Sequence, residues 1–455
     1  MKIRRGFLLT AMLCLLALLT CGCGKGNVGI LDPQELYSLP ELPAKYTELN
    51  SQLNFILERG AEYAAPASGS NIQPVQMRDL DGDGREEALA FFRNSADEKP
   101  LKIYIFTVAD ERYQQTALIE GSGTAVHSIT YSDLDGDGLT ELLVGWRVGT
   151  DLLALSVYDL CPDGPREILR SDYVRYSVLD LNDDPNRELV VLRSDEEGSG
   201  VADYYSWKDG TLGLQSSARI SMTMAQLSQQ GRVTGGTLRN GSPALFLTGV
   251  ETGTEQPSRA IFDILTVKNE ELVNVVLSDA TGVSSEIARF CSLYPNDLNN
   301  DGLTEVPWPL DFEAEGGKAA GNPFIEWRTY DDRGSARTAL YTYHDMEDGW
   351  YLQLPEEWKG KIHAQRTVYS DEATVTFSIC SGEMEKPFLR ITAITGSNRM
   401  VKAVRGTRFN LSRQPETVYV AELLEANHSW AYGWKEDEVR GAFSLIRPEW
   451  NAGDN

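Results

Sequence analysis

The hexapeptide DLDGDG occurs twice, at residues 79–84 and 133–138, and an apolar run follows each copy (ALAFF, LLVGW). Carboxylates alternating along so short a stretch repel one another unless something cationic sits among them or backbone donors cap them. The loop must therefore gather its acids around a partner while the run behind it forms a buried strand.

Setting the first Asp of each acidic loop at position 1 gives one register. Asp79, Asp81, Asp83, Gly84 and Glu87 occupy positions 1, 3, 5, 6 and 9, with Arg85 at 7. Asp133, Asp135, Asp137, Gly138, Leu139 and Glu141 repeat the pattern. DLNDDPNRE supplies Asp180, Asn182, Asp184 and Glu188 with Pro185 at position 6, and DLNNDGLTE supplies Asp297, Asn299, Asp301, Leu303 and Glu305. The long gap from 180 to 297 asks for another copy, and GGTLRNGSP fits, with Gly235, Thr237, Arg239, Asn240 and Pro243 in the slots. About 30 residues after most starts comes an apolar strand, a turn and another strand, as in DYYSWKDGTLGL; Asp-Gly turns favour such hairpins because they accept positive φ. In the last copy the insertion DFEAEGGKAAGNPF lengthens that interval. Each unit then reads as strand, loop, strand and hairpin, too small to bury its own core, and such units repeat radially in β-propellers.

These units resemble FG-GAP/VCBS-type repeats, the calcium-binding blades of integrin α-subunit propellers and many bacterial surface proteins. The resemblance covers roughly residues 70–350 and implies a mainly β fold: a β-propeller of about five four-stranded blades with calcium loops. Side chains at 1, 3 and 5, the carbonyl at 7 (Arg85, Leu139, Leu303) and the carboxylate at 9 supply the hard oxygens that suit Ca²⁺, for two to four ions per chain. His and Cys are absent from the slots, which argues against zinc or copper. A glutamate at 9 rather than 12, between strands rather than helices, excludes an EF-hand. Pro185 opposes the left-handed turn at position 6 and leaves its loop undecided between an empty and a rearranged cage. The Gly235 copy, with Arg239 where a ligand belongs, is expected to bind nothing, Asn240 keeping the turn.

The flanks divide the chain into a leader at 1–22, an anchor, helix and linker at 23–69, the propeller at 70–349 and a small α+β domain at 350–455. MKIRR followed by GFLLTAMLCLLALLT reads as a secretory signal. Gly22–Cys23 resembles a bacterial lipobox with Cys23 as the lipidation residue, Cys21 being the alternative. The expectation is an extracytoplasmic protein held at the bacterial envelope through an N-terminal lipid. PAKYTELNSQLNFILERG reads as a helix with Tyr46, Leu49, Leu53 and Ile56 on one face and Gly60 as its stop. In the last domain ATVTFSIC, FLRITAIT and ETVYVAELL are strand candidates. KEDEVRGAFSLIRPEW reads as a helix presenting Val439, Ala442, Phe443 and Ile446. Trp350, Trp358 and Trp434 read as core, with a ligand groove the lesser alternative.

Forty-two basic against 67 acidic residues leave a net charge of −25, which excludes the electrostatic footprint of a nucleic-acid binder and leaves any hold on anionic lipid to the acyl chain. Beyond the leader only Cys161, Cys291 and Cys380 remain, too few for a disulfide framework though enough for one bridge. No G-x-S-x-G elbow, P-loop or dinucleotide fingerprint is present, and His127, His344, His363 and His428 lack zinc spacing. The sequence points to a binding module for a protein or glycan rather than an enzyme. A polysaccharide-active enzyme on this scaffold and a purely structural envelope protein are the alternatives.

Overall fold

The computed structural model describes residues 46–109, 112–150, 152–161, 163–252, 258–278, 280–310, 324–381 and 384–446. The leader at 1–22, Cys23 and nearly all of the insertion lie outside the described residues. The chain divides into two compact units, Met1–Asn54 and Phe55–Asn455. The expected helix runs over Thr47–Glu58, with Leu49, Leu53 and Ile56 buried. It stops where Gly60 takes φ +92° and its N–H returns to the Leu57 carbonyl.

The chain is mainly β, and among the described residues its strands form six antiparallel sheets of four or five strands. Five of the sheets carry the repeated units. Sheet two runs Ala125–Ser132, Glu141–Arg147, Leu153–Cys161, Gly164–Tyr173, each strand pairing with the next. Sheets one, three, four and five repeat this meander around Glu87–Arg93, Glu188–Ser194, Pro243–Glu251 and Phe324–Tyr330. In the four acidic loops the residue before position 1 pairs with the glutamate at 9: Arg78↔Glu87, Ser132↔Glu141, Leu179↔Glu188 and Asn296↔Glu305. Each acidic loop is therefore a hairpin closure of equal length.

The apolar runs behind the loops are buried because each strand is read alternately by two neighbours. Leu142, Val144 and Trp146 pack in a core shared with sheet one, whereas Leu143 packs in one shared with sheet three. Leu189 and Val191 face sheet two; Val190 and Leu192 face sheet four. Leu245 and Leu247 face back to sheet three, and Ala244 and Phe246 face on to sheet five. The cores thus link consecutive sheets. Among the described residues no such core joins sheet one to sheet five or six.

The Gly235 copy departs from the expected register. Gly235, Gly236 and Thr237 continue the strand Arg232–Thr237, and Thr237 itself pairs with Pro243. Its loop is the shorter stretch from Leu238 to Ser242, turned by Gly241 at φ +90° rather than by Asn240. With no ligand set to hold, the loop is shorter than the acidic ones.

Sheet six has the order Ile362–Tyr369, Glu372–Ser381, Met384–Ile394, Val418–Leu423, Phe409–Arg413, so the three predicted strands all form. It shares a core with sheet five in which Trp350 and Trp358 are buried. Trp434 packs on Trp358 with ring centroids 4.3 Å apart. The predicted final helix is corrected. It covers only Glu436–Ala442, and Phe443–Leu445 is a strand paired with Trp350–Leu352 of sheet five. An apolar residue following a helix is as useful to a sheet edge as to a helical face, and here the open edge of Trp350–Leu354 takes it.

Candidate metal centres

Each acidic loop is wound by its own carboxylates. In the Asp133 loop, Asp133 accepts the Gly136 N–H on one oxygen (2.7 Å) and the Gly138 N–H on the other (3.0 Å). Asp135 accepts from the Asp137 N–H at 3.1 Å, and Asp137 from the Leu139 N–H at 2.8 Å. Gly136 and Gly138 sit at φ +75° and +88°, where a side chain is strained, which is why glycine stands at positions 4 and 6. The Asp79 loop repeats all four bonds. In the Asp297 loop Asn300 supplies the left-handed position 4 and Gly302 the position-6 donor to Asp297.

Glutamate 9 closes the loop from beneath. One oxygen of Glu87, Glu141, Glu188 and Glu305 accepts the N–H of Leu80, Leu134, Leu181 and Leu298, at 2.7–2.9 Å. These position-2 leucines, buried in all four loops, went unremarked in the sequence, although the shared D-L-D/N spelling was the signal for them. Glu188 and Glu305 each keep a second carboxylate oxygen that is buried and has no hydrogen-bond partner. Burial first, and the neighbouring aspartates less, push the Glu141, Glu188 and Glu305 carboxyls up to about 7 against the opposing leucine amides. Glu87 is raised for the same leading reason.

Three loops gather carboxylates around one point. Oxygens of Asp79, Asp81 and Glu87, of Asp133, Asp135 and Glu141, and of Asp297, Asp301 and Glu305 lie within 4.8 Å of one another. At that spacing two like charges repel by about 3 kcal/mol at an effective dielectric near 20, less where solvent screens the outer pair. The Asx-type bonds account for the loop's winding. Their backbone donors relieve this repulsion in part and a proton or a cation relieves it further, so the three clusters could each hold a metal ion. Oxygen-only donors fit a hard cation.

Not every expected ligand joins a cluster. Asp83 is taken by Arg85, whose Nε donates to it at 2.8 Å and whose guanidinium holds its carboxyl below the usual range. Asp137 lies outside its group as well. Asn299 and Asn182 use Oδ1 as Asp135 does, accepting the Asp301 and Asp184 N–H groups, and their amide N–H groups donate to the same residues' carboxylates at 2.9 and 2.7 Å. In the Asp180 loop Asp183 takes the left-handed position 4, but Pro185 has no N–H to offer Asp180, and Asp180, Asp184 and Glu188 form no such group among the described residues. Arg239 of the contracted copy reaches into sheet five instead, donating to Asp331 at 2.9 Å and to the Thr329 and Ser335 carbonyls.

The loops also touch across sheets. The Thr140 N–H donates to the Leu80 carbonyl at 2.9 Å. A Cβ on Gly82 would lie 3.1 Å from the Gly138 carbonyl oxygen, and one on Gly136 would lie 2.6 Å from Oδ1 of Asn186. The Asp79, Asp133 and Asp180 loops therefore sit side by side at one end of sheets one to three. No protein-family model matches the chain, and no curated protein matches it either.

Proposed function

We propose that this chain is a calcium-binding module of the β-propeller kind, exported and lipid-anchored at Cys23, that presents its surface to a protein or glycan ligand rather than catalysing a reaction. Calcium is the ion best suited to the clusters, because carboxylates and main-chain carbonyls offer six to eight hard oxygens in a pliable loop, whereas Mg²⁺ demands a stricter octahedron. The observation that carries the reading is the buried, unpartnered oxygen of Glu305, whose carboxylate is grouped with those of Asp297 and Asp301. Such an atom costs free energy unless a ligand completes it. Side chains would contribute Asp79, Asp81 and Glu87; Asp133, Asp135 and Glu141; and Asp297, Asp301 and Glu305. The bound ion would supply the positive charge that lets each acidic hairpin close.

The propeller reading is supported by the meander common to the five sheets and by strands read alternately by the sheets before and after. A repeated scaffold whose acidic clusters are given over to metal supports a binding role over a catalytic one. Elemental analysis of the purified protein, followed by calorimetric titration after chelation, tests the metal assignment. Three calcium ions per chain are expected, displaced by chelator and not by millimolar Mg²⁺. Zinc alone, or no divalent ion under calcium-replete purification, overturns it.

A further inference from the structure

In a chain of net charge −25, the stretch from Gly396 to Pro415 contains five basic residues and no acidic one. It lies at one end of sheet six. The row Tyr369↔Glu372↔Ile394↔Val418↔Arg413 crosses the sheet there, and residues 395–408 leave from that row. Thr395 donates its N–H to the Asp371 carbonyl at 2.9 Å, and Lys402 pairs with the Asp371 carboxylate, so the Tyr369 turn and the short helix Arg399–Lys402 are tied together.

This end is apolar and exposed as well as basic. Tyr369 is 86 % exposed, Val404 73 %, Val401 63 % and Met400 47 %. Single exposed hydrophobic residues are ordinary, but four around one turn and helix, interleaved with cations, are not. Lys402 and Arg408 are neutralised by Asp371 and Glu372. Arg399, Arg405 and Arg413 have no carboxylate partner among the described residues, in a protein rich in carboxylates.

We propose that this end of sheet six docks on an anionic lipid bilayer. Aliphatic and aromatic side chains flanked by guanidinium groups match the boundary between headgroups and acyl chains, which such faces enter by about 5–10 Å. The net negative charge does not oppose this at close range, because at physiological salt charges beyond about 8 Å are screened and the local positive group faces the lipid first. The inference is independent of the calcium assignment, and it adds a contact made by the protein surface itself to any N-terminal lipid.

Hydrogen exchange of the full chain on vesicles tests it, read peptide by peptide. On phosphatidylcholine vesicles containing phosphatidylglycerol, exchange should slow across 366–373 and 397–408. It should not slow on phosphatidylcholine alone, and the effect should vanish in 1 M salt. Arg405→Glu with Arg413→Glu should abolish the slowing, as should Val401→Asp with Val404→Asp. An N-terminal anchor is common to both vesicle types and cannot produce the difference. Equal exchange on the two vesicle types overturns the proposal. So does slowing without vesicles that grows with protein concentration, which would mean that a second copy covers this face.

Discussion

Glu305 has one carboxylate oxygen on the Leu298 amide and the other buried without a partner, in a carboxylate grouped with two aspartates, and these two surroundings make opposite demands. The first asks only for an acceptor, which an amide oxygen satisfies. The second asks for a cation. Glu305→Gln should therefore keep the loop closed in chelator, because the new N–H groups can donate to Asp297 or Asp301, while losing its share of calcium-linked stability. That share is about 1.4 kcal/mol at a tenfold excess of calcium over Kd. Melts with and without calcium check this, and an undiminished calcium shift would remove Glu305 from the site. His344 makes a different prediction. Its ring is buried against Tyr351, 5.1 Å between centroids, with neither nitrogen hydrogen-bonded. Burial lowers its pKa from 6.5 to about 3. The unfolded chain thus takes up the proton first, so the stability due to neutral His344 is complete above about pH 6.5 and is lost as pH falls towards 3. Between pH 6.5 and 5 the native protein should lose about 1.6 kcal/mol more than His344→Phe does. Parallel urea curves at the two pH values would contradict it.

Among the elements, the acidic hairpins were the most legible part of the sequence, because each slot has one chemical requirement. Glycine, asparagine or aspartate stands where φ must be positive, a carboxylate or amide oxygen where an N–H must be capped, and an apolar pair brackets the loop. The Gly235 copy was legible as a unit but not in register. A slot without ligands carries no chemistry that fixes it, and the strand simply runs on to Thr237. The final helix was misread past Ala442 because Phe443 suits a helical face and a sheet edge equally, and only the tertiary pairing with Leu352 decides. Nothing in the spacing of Asp83 announces its ion pair with Arg85. The Asp180 loop isolates what position 6 contributes. It keeps the left-handed Asp183 and the buried Glu188 but lacks the donor that braces Asp180. Pro185→Gly should restore that N–H and the permitted φ, adding one calcium-binding event to a calorimetric titration. An unchanged stoichiometry would place the fault elsewhere in that loop.

At the scale of the molecule, stability passes from sheet to sheet through shared cores, and the loop ends are joined in two different ways. Sheets four and five are stapled by Arg239, a fixed cation on Asp331 and two carbonyls, where the other loops would place an ion. Sheets one and two are joined through the loops themselves, with Leu80 accepting from Thr140 and Gly82 lying close against Gly138. Filling one of these two loops should therefore help to order the other. Asp81→Ala and Asp135→Ala each remove a clustered carboxylate, and combining them measures that help. In millimolar calcium the double variant should depart from additivity by about 0.5 kcal/mol or more, the range for residues in one contact network. The departure should disappear in chelator, since the coupling needs the ions. Asp81→Ala combined with Asp301→Ala supplies the contrast: sheets one and five share no core among the described residues, so their effects should add within about 0.3–0.5 kcal/mol. If the two pairs give the same coupling in calcium, the contact between the first two loops is not what transmits it, and the sheets respond to metal as one body.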